Sequence, residues 1–172
     1  TANEAAALDG SDPEGVHQMR VGLRRFRSAL SVFGDLLPAG QEDWLNAEAK
    51  WALNSLGPAR DWDVFQSDLL APLEADRPQD PDLAALRAAA RERQTLAYTE
   101  LRDALATPRY TRFLLRLGGW LEDRAWHCAE LTAAQDVALN QPLVTLADTL
   151  LDKRHRKALK NSQGEAGQAA EP

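Results

Sequence analysis

Cysteine is nearly missing from this chain. Cys128 stands alone among 172 residues, so no disulfide framework can form within it, and a reducing compartment is expected. No apolar run approaches the roughly 20 residues of a membrane span, and no secretory leader is read at the start. The chain opens on Thr1 without a methionine, so a processed or truncated fragment is expected. Catalytic signatures are also lacking. There is no nucleophile elbow, Walker loop or glycine-rich phosphate loop, and no paired-carboxylate arrangement. His17, His127 and His155 have no His, Cys or carboxylate neighbour at ligand spacing, and arginines beside a histidine would repel a cation, so no metal site is expected. The net charge of −6 argues against a generally adhesive nucleic-acid binder, and no basic–aromatic interleaving of the single-strand type occurs.

The sharpest absence is local. No acid occurs from Gly15 to Gly34, although the chain as a whole is acidic. In that gap lie Arg20, Arg24, Arg25 and Arg27. A second basic run, Lys153-Arg154-His155-Arg156-Lys157 with Lys160, stands near the other end. These two windows hold nine of the twenty Lys and Arg residues, so the net charge speaks for solubility and the clusters speak for ligands.

Apolar residues recur at Val16, Met19, Leu23, Phe26, Leu30 and Phe33, the seam of an amphipathic helix. His17, Arg20, Arg24 and Arg27 repeat nearly the same spacing one position later. One residue is about 100° of helix rotation, so the cationic row borders the buried stripe rather than opposing it. A cationic row at the edge of a core faces a groove between helices, which suits a polyanion.

Punctuation along the chain predicts an all-α fold. Either Ser11 caps the first helix with Glu14 as its partner, or Asp12 caps it with Pro13 at the first position. That helix runs to about Leu37. A second covers roughly Glu42 to Leu56, with Trp44, Leu45, Ala49, Ala52 and Leu56 inward, and Gly57-Pro58 breaks it. A short helix from about Asp61 to Leu73 and a polar loop at Arg77 to Pro81 follow. A third long helix spans about Asp82 to Ala106, with Leu83, Leu86, Ala90, Gln94, Ala97, Leu101 and Ala104 as its seam. Thr107-Pro108 opens a fourth with Tyr110, Phe113, Leu114, Leu117, Trp120 and Leu121 on its apolar side. Ala125 to Asn140 is ambiguous. The last helix starts near Pro142, with Leu143, Leu146, Leu150 and Leu151 inward, and carries the second basic cluster. Residues 1–160 thus read as an antiparallel helical bundle. Residues 161–172, rich in Gly, Ala, Gln and Glu, read as a disordered tail or linker.

His17, Arg20, Arg24 and Arg27 span about 15 Å at 1.5 Å per residue. Guanidiniums at that spacing can engage successive phosphates bidentately. The bland alternative is a basic face that is solvated or paired with acids of neighbouring helices. Arg60 can join the anion site. Asp61 can cap the short helix or fix an arginine of the first, and a structural role is the favoured reading for Asp61 and Asp63. In the second cluster a helix C-terminus attracts cations through its dipole, but six basic or histidine residues in eight exceed what capping requires. His127-Cys128 reads as packing, and the five tryptophans read mainly as core.

The string from His17 to Leu30 resembles the opening motif of the CHAD family, the conserved-histidine α-helical domains. Leu56-Gly57-Pro58-Ala59-Arg60-Asp61-Trp62-Asp63-Val64 looks like the second motif of that family. Arg109-Tyr110 followed by Leu114, Leu115, Trp120 and Leu121 is similar to its middle helix, and Leu150 to Lys157 to its next basic helix. The resemblance implies a helical domain that binds inorganic polyphosphate, without catalysis or cofactor, through a basic channel. His17, Arg20, Arg24 and Arg27 would form one wall. Arg60, Arg154, His155, Arg156 and Lys157 would extend it, with Arg25, Lys50, Lys153 and Lys160 as weaker members. It also implies a cytoplasmic protein, in some members associated with polyphosphate granules. A full CHAD domain is about twice as long, with two bundles related by duplication. The second opens on another His-Arg helix, which nothing here matches. The expectation is the N-terminal half of such a domain, facing the missing C-terminal half or a second copy of the chain. A membrane partner is not expected. The rival readings are an accessory module of a triphosphate or polyphosphate hydrolase and a nucleic-acid-binding helical domain.

Overall fold

The computed structural model describes residues 2–127 and 131–168; the side chains of Ala2, Lys157 and residues 161–168, like Cys128, lie outside that description. Among the described residues the chain is all-α, without a strand.

Helix α1 (Ala2–Asp9) had no signature in the sequence pattern. It is held by what it touches. Gly10 closes it at φ +73°, a left-handed value that glycine adopts without strain. The Arg102 guanidinium donates to Leu8 O at 2.7 Å and to Asp9 O at 3.1 Å, placing a cation on its terminal carbonyls. Where α1 crosses α2 (Pro13–Phe33), Gly15 is buried, and a Cβ there would stand 2.5 Å from the Ala7 backbone nitrogen.

Of the two ways of capping α2, the second holds: the Asp12 carboxylate accepts from Glu14 N at 2.8 Å, and Pro13 opens the helix. A short 3₁₀ turn, Gly34–Leu36, and Gly40 at φ +79° reverse the chain into α3 (Gln41–Ser55). The Gly57-Pro58 break separates two helices but is followed at once by α4 (Gly57–Val64), because proline is tolerated in a first turn. That is earlier than a start at Asp61. Asp61 therefore lies inside α4, exposed, and caps nothing. A π-turn at Phe65–Leu70 carries the helix on into α5 (Ala71–Asp76).

Helix α6 (Pro81–Leu105) is capped by Asp80, whose carboxylate accepts from Asp82 N. Helix α7 (Pro108–Glu122) is capped by Thr107, and α8 (Ala133–Asn140), in the ambiguous stretch, by a Thr132–Gln135 capping box. Helix α9 (Leu143–Gln168) runs on through most of the segment read as a disordered tail.

The core forms where α2, α3, α4, α6 and α7 meet. Val16, Leu45, Leu56, Leu70, Leu101 and Phe113 are fully buried, each contributing roughly 1.5–3 kcal/mol. All five tryptophans are half-buried. The seam of α6 runs through Ala90, Ala97, Tyr98, Leu101 and Leu105, while Leu86, expected inside, is exposed. The larger correction is α9. Of the residues expected inward, Leu146 and Leu150 are half-buried, but Leu143 and Leu151 are 74% and 67% exposed, because none of the described helices packs over that side.

Beneath the α4–α6 contact lies a buried polar knot. Asp63 accepts from Gln94 Nε2 at 2.8 Å and from the Tyr98 hydroxyl at 3.0 Å, and Gln94 Oε1 accepts from Gln66. Burial, then the Asp63 carboxylate beside it, pushes the Tyr98 hydroxyl far above its ordinary pKa. The structural reading of Asp63 holds; Asp61 makes no ion pair among the described residues.

Candidate functional site

The sequence of α2 places Arg20, Arg24, Arg27 and Ser31 at steps of four, three and four, along one line of the helix. Arg20 Nη1 donates to Leu53 O at 2.9 Å. That carbonyl lies in the last turn of α3, where intrahelical partners run out and the dipole favours a cation. The Arg20 head also lies beside the start of α4: a Cβ on Gly57 would come 3.4 Å from Nη1. Two turns on, Arg27 Nε donates to Asn46 Oδ1 at 2.8 Å. Both arginines are half-buried and oriented by α3, while Arg24 between them is exposed.

The last helix meets this stripe near its C-terminal end. Arg154 Nη2 donates to Ser31 Oγ at 2.9 Å. Arg24, Arg27 and Arg154, with Ser28, Ser31 and Val32, line an open groove of about 470 Å³. Residues 123 positions apart in sequence thus supply the two walls. Ser31 spends a lone pair on Arg154 and keeps its hydroxyl proton for another acceptor.

The partners of these cations decide what the groove can do. Leu53 O, Asn46 Oδ1 and Ser31 Oγ are all neutral. They fix the guanidiniums without cancelling their charge. Among the described residues, none of His17, Arg20, Arg24, Arg27, Arg60 and Arg154 has a carboxylate within ion-pair distance. Some arginines elsewhere behave differently, Arg87 pairing with Glu74 and Arg109 with Glu48, whereas Arg102 is likewise held by backbone carbonyls. The bland alternative of pairing with acids of neighbouring helices is therefore not what the stripe shows. An uncancelled row of guanidiniums beside serine hydroxyls has the donors to bind an anion.

Other sequence candidates fall around the groove, not in it. His17 is half-buried on α2, one turn before Arg20. Arg60, on α4, is half-buried, and its charge acts on the Tyr98–Asp63 pair, opposing the upward shift of the tyrosine. Lys153 is committed to an ion pair with Asp35, and Arg156 Nε donates to Asp152 O of its own helix. His155 and Lys160 are exposed on α9, Arg25 and Lys50 on α2 and α3. The Lys157 side chain lies outside the described residues. Sequence reasoning missed Ser28 and Ser31. Their signal was available, since Ser28 stands four residues after Arg24 and Ser31 four after Arg27.

No group of His, Cys, Asp or Glu arranged to hold a metal occurs among the described residues, and no helix there is long and apolar enough to cross a membrane.

Comparison with known proteins agrees with the motifs. No curated protein matches the chain. A solved structure, the crystal structure of the CHAD domain from the plant Ricinus communis, shares 35% identity with a TM-score of 0.60. The match covers 80% of this chain and 45% of that one, so the chain spans less than half the length of that relative. The family model of the CHAD domain matches residues 1–172, and with the His17–Leu30 motif on the helix that carries the cationic stripe, this chain belongs to the CHAD family.

Proposed function

We propose that this protein binds inorganic polyphosphate, without acting on it chemically, in the groove between α2 and α9. The observation that supports it most is the neutrality of the partners that hold Arg20, Arg27 and Arg154, which leaves a positioned, uncancelled cationic row in a chain of net charge −6. From Arg20 to Arg27 the row is about 10 Å long at 1.5 Å per residue, enough for several phosphates of a linear chain. Guanidinium forks suit phosphate oxygens bidentately, and the Ser28 and Ser31 hydroxyls add donors without adding charge. His17 and Arg60 on one side, and His155 and Arg156 on α9, would add further donors around the groove. Association with polyphosphate granules follows from the same affinity.

Calorimetric titration with long-chain polyphosphate tests this reading. Saturable binding is expected, displaced by tripolyphosphate and not by RNA at equal phosphate concentration. Incubation with tripolyphosphate and Mg²⁺ or Mn²⁺ is expected to release no orthophosphate. Absence of binding overturns the proposal. Displacement by RNA mole for mole supports the nucleic-acid reading instead, and phosphate release makes the chain part of a hydrolase.

A further inference from the structure

Helix α9 is tied to the rest of the fold by slight contacts. Lys153 pairs with Asp35, but their side chains are 59% and 65% exposed. Arg154 reaches Ser31 through one exposed hydrogen bond. Exposed pairs of this kind contribute little, because water competes for both partners and two long side chains must be ordered. The apolar seam of the helix is only partly covered: Leu146 and Leu150 are half-buried, while Leu143, Val144 and Leu151 face solvent. Docking also carries a penalty. It sets Arg154 around the same groove as Arg24 and Arg27, with no carboxylate in the lining. Like charges at such separations repel, most strongly at low salt.

An anion in the groove reverses that balance. Its oxygens accept from α2 and from α9 at once, so the repulsion across the groove becomes attraction through the ligand. We infer that α9 is a strap closed by its ligand: a phosphate chain seated in the groove locks α9 onto α2, and without one the strap is docked for only part of the time. This rests on the proposed anion-binding function and adds a regulatory consequence. A ligand shifts an equilibrium only by its differential affinity for the two states, and the coupling is reciprocal. The factor by which tripolyphosphate favours docking is therefore the factor by which docking strengthens tripolyphosphate binding. Closure also changes where the exposed apolar residues of α9 stand, so a bound phosphate chain is reported on the outside of the molecule.

Hydrogen exchange of the whole chain, free and saturated with tripolyphosphate, tests the strap. Amides from 143 to 160 are expected to be slowed at least about fivefold, the low end of ordinary coupling between sites. Amides of α6 are expected to be unchanged. Arg154→Ala removes the reach of α9 into the groove: it is expected to bind tripolyphosphate more weakly and to show no protection of α9. Ser31→Ala, which leaves every charge in place, is expected to speed α9 exchange in the free protein and to regain protection with the ligand. Binding measured by calorimetry with no slowing of α9, or equal slowing in Arg154→Ala, overturns the strap and leaves the anion-binding reading standing. No binding at all overturns both.

Discussion

Arg20 and Arg24 stand one turn apart on the same stripe, yet the structure separates what their loss should do. Arg24 is exposed and has no hydrogen bond or ion pair among the described residues. Arg24→Ala removes only a ligand-facing charge, so stability should change by no more than about 0.5 kcal/mol, as for ordinary surface sites. Polyphosphate binding should weaken by about 1.5–3 kcal/mol, the range for hydrogen bonds to charged groups. That is about ten- to a hundredfold in dissociation constant. Arg20 carries a second duty, since it donates to Leu53 O in the last turn of α3. Arg20→Ala should match the binding loss and also cost about 1–2 kcal/mol of stability, from a half-buried carbonyl left without its charged donor. For a chain of this length that lowers the midpoint of thermal unfolding by about 2–8 °C. The control is Arg112→Ala, on the far side of α7, exposed and outside both clusters. Calorimetry and thermal unfolding on the three variants read the two effects apart. Wild-type affinity in Arg24→Ala, or an equal loss in Arg112→Ala, would refute a positioned receptor and point to diffuse surface attraction. Equal thermal midpoints for Arg20→Ala and Arg24→Ala would refute the capping duty of Arg20.

Salt gives a second check. Single-stranded polyanions lose about 0.7 of a log unit per contacted phosphate for each log unit of salt, so five contacts predict a slope of about −3 to −4. Raising salt from 50 to 200 mM should then weaken binding about a hundredfold by that rule, and a flat response would exclude the electrostatic mechanism. The two tyrosines report on alkaline stability. Burial, then Glu4 beside it, holds Tyr110 up at about 12. A folded pKa above the unfolded value stabilises fully below the unfolded one, near 10, and that contribution fades as pH rises towards the folded one. Denaturant midpoints should therefore fall from about pH 10 upwards, and Tyr110→Phe should flatten that fall; a native chain in which both tyrosines ionise near pH 10 by ultraviolet titration would contradict the packing. Gly15→Ala should destabilise by about 1–3 kcal/mol in urea unfolding, because the added Cβ meets the Ala7 backbone and not a movable side chain. An unchanged midpoint would mean that α1 does not pack there.

The amino-acid sequence alone determined the helical character, most helix limits and the cationic stripe. Each of these rests on interactions a few residues apart: a capping carboxylate at Asp12, a proline at position 58 or 108, apolar side chains at helical spacing. The same locality explains what was legible of the site, since Arg20, Arg24 and Arg27 share a face in any helix. What lies beyond a few turns was decided by the tertiary structure. Helix α1 is short and weakly patterned, and its place comes from Gly15 and Arg102, the second more than ninety residues away. Leu143 and Leu151 fit a helical seam, yet face solvent, because a seam needs a neighbour and none of the described helices supplies one there. Whether the basic face is paired with acids was also decided by the tertiary structure. A guanidinium held by Leu53 O, Asn46 or Ser31 keeps its charge, and one held by a carboxylate does not, and only packing brings one acceptor or the other within reach.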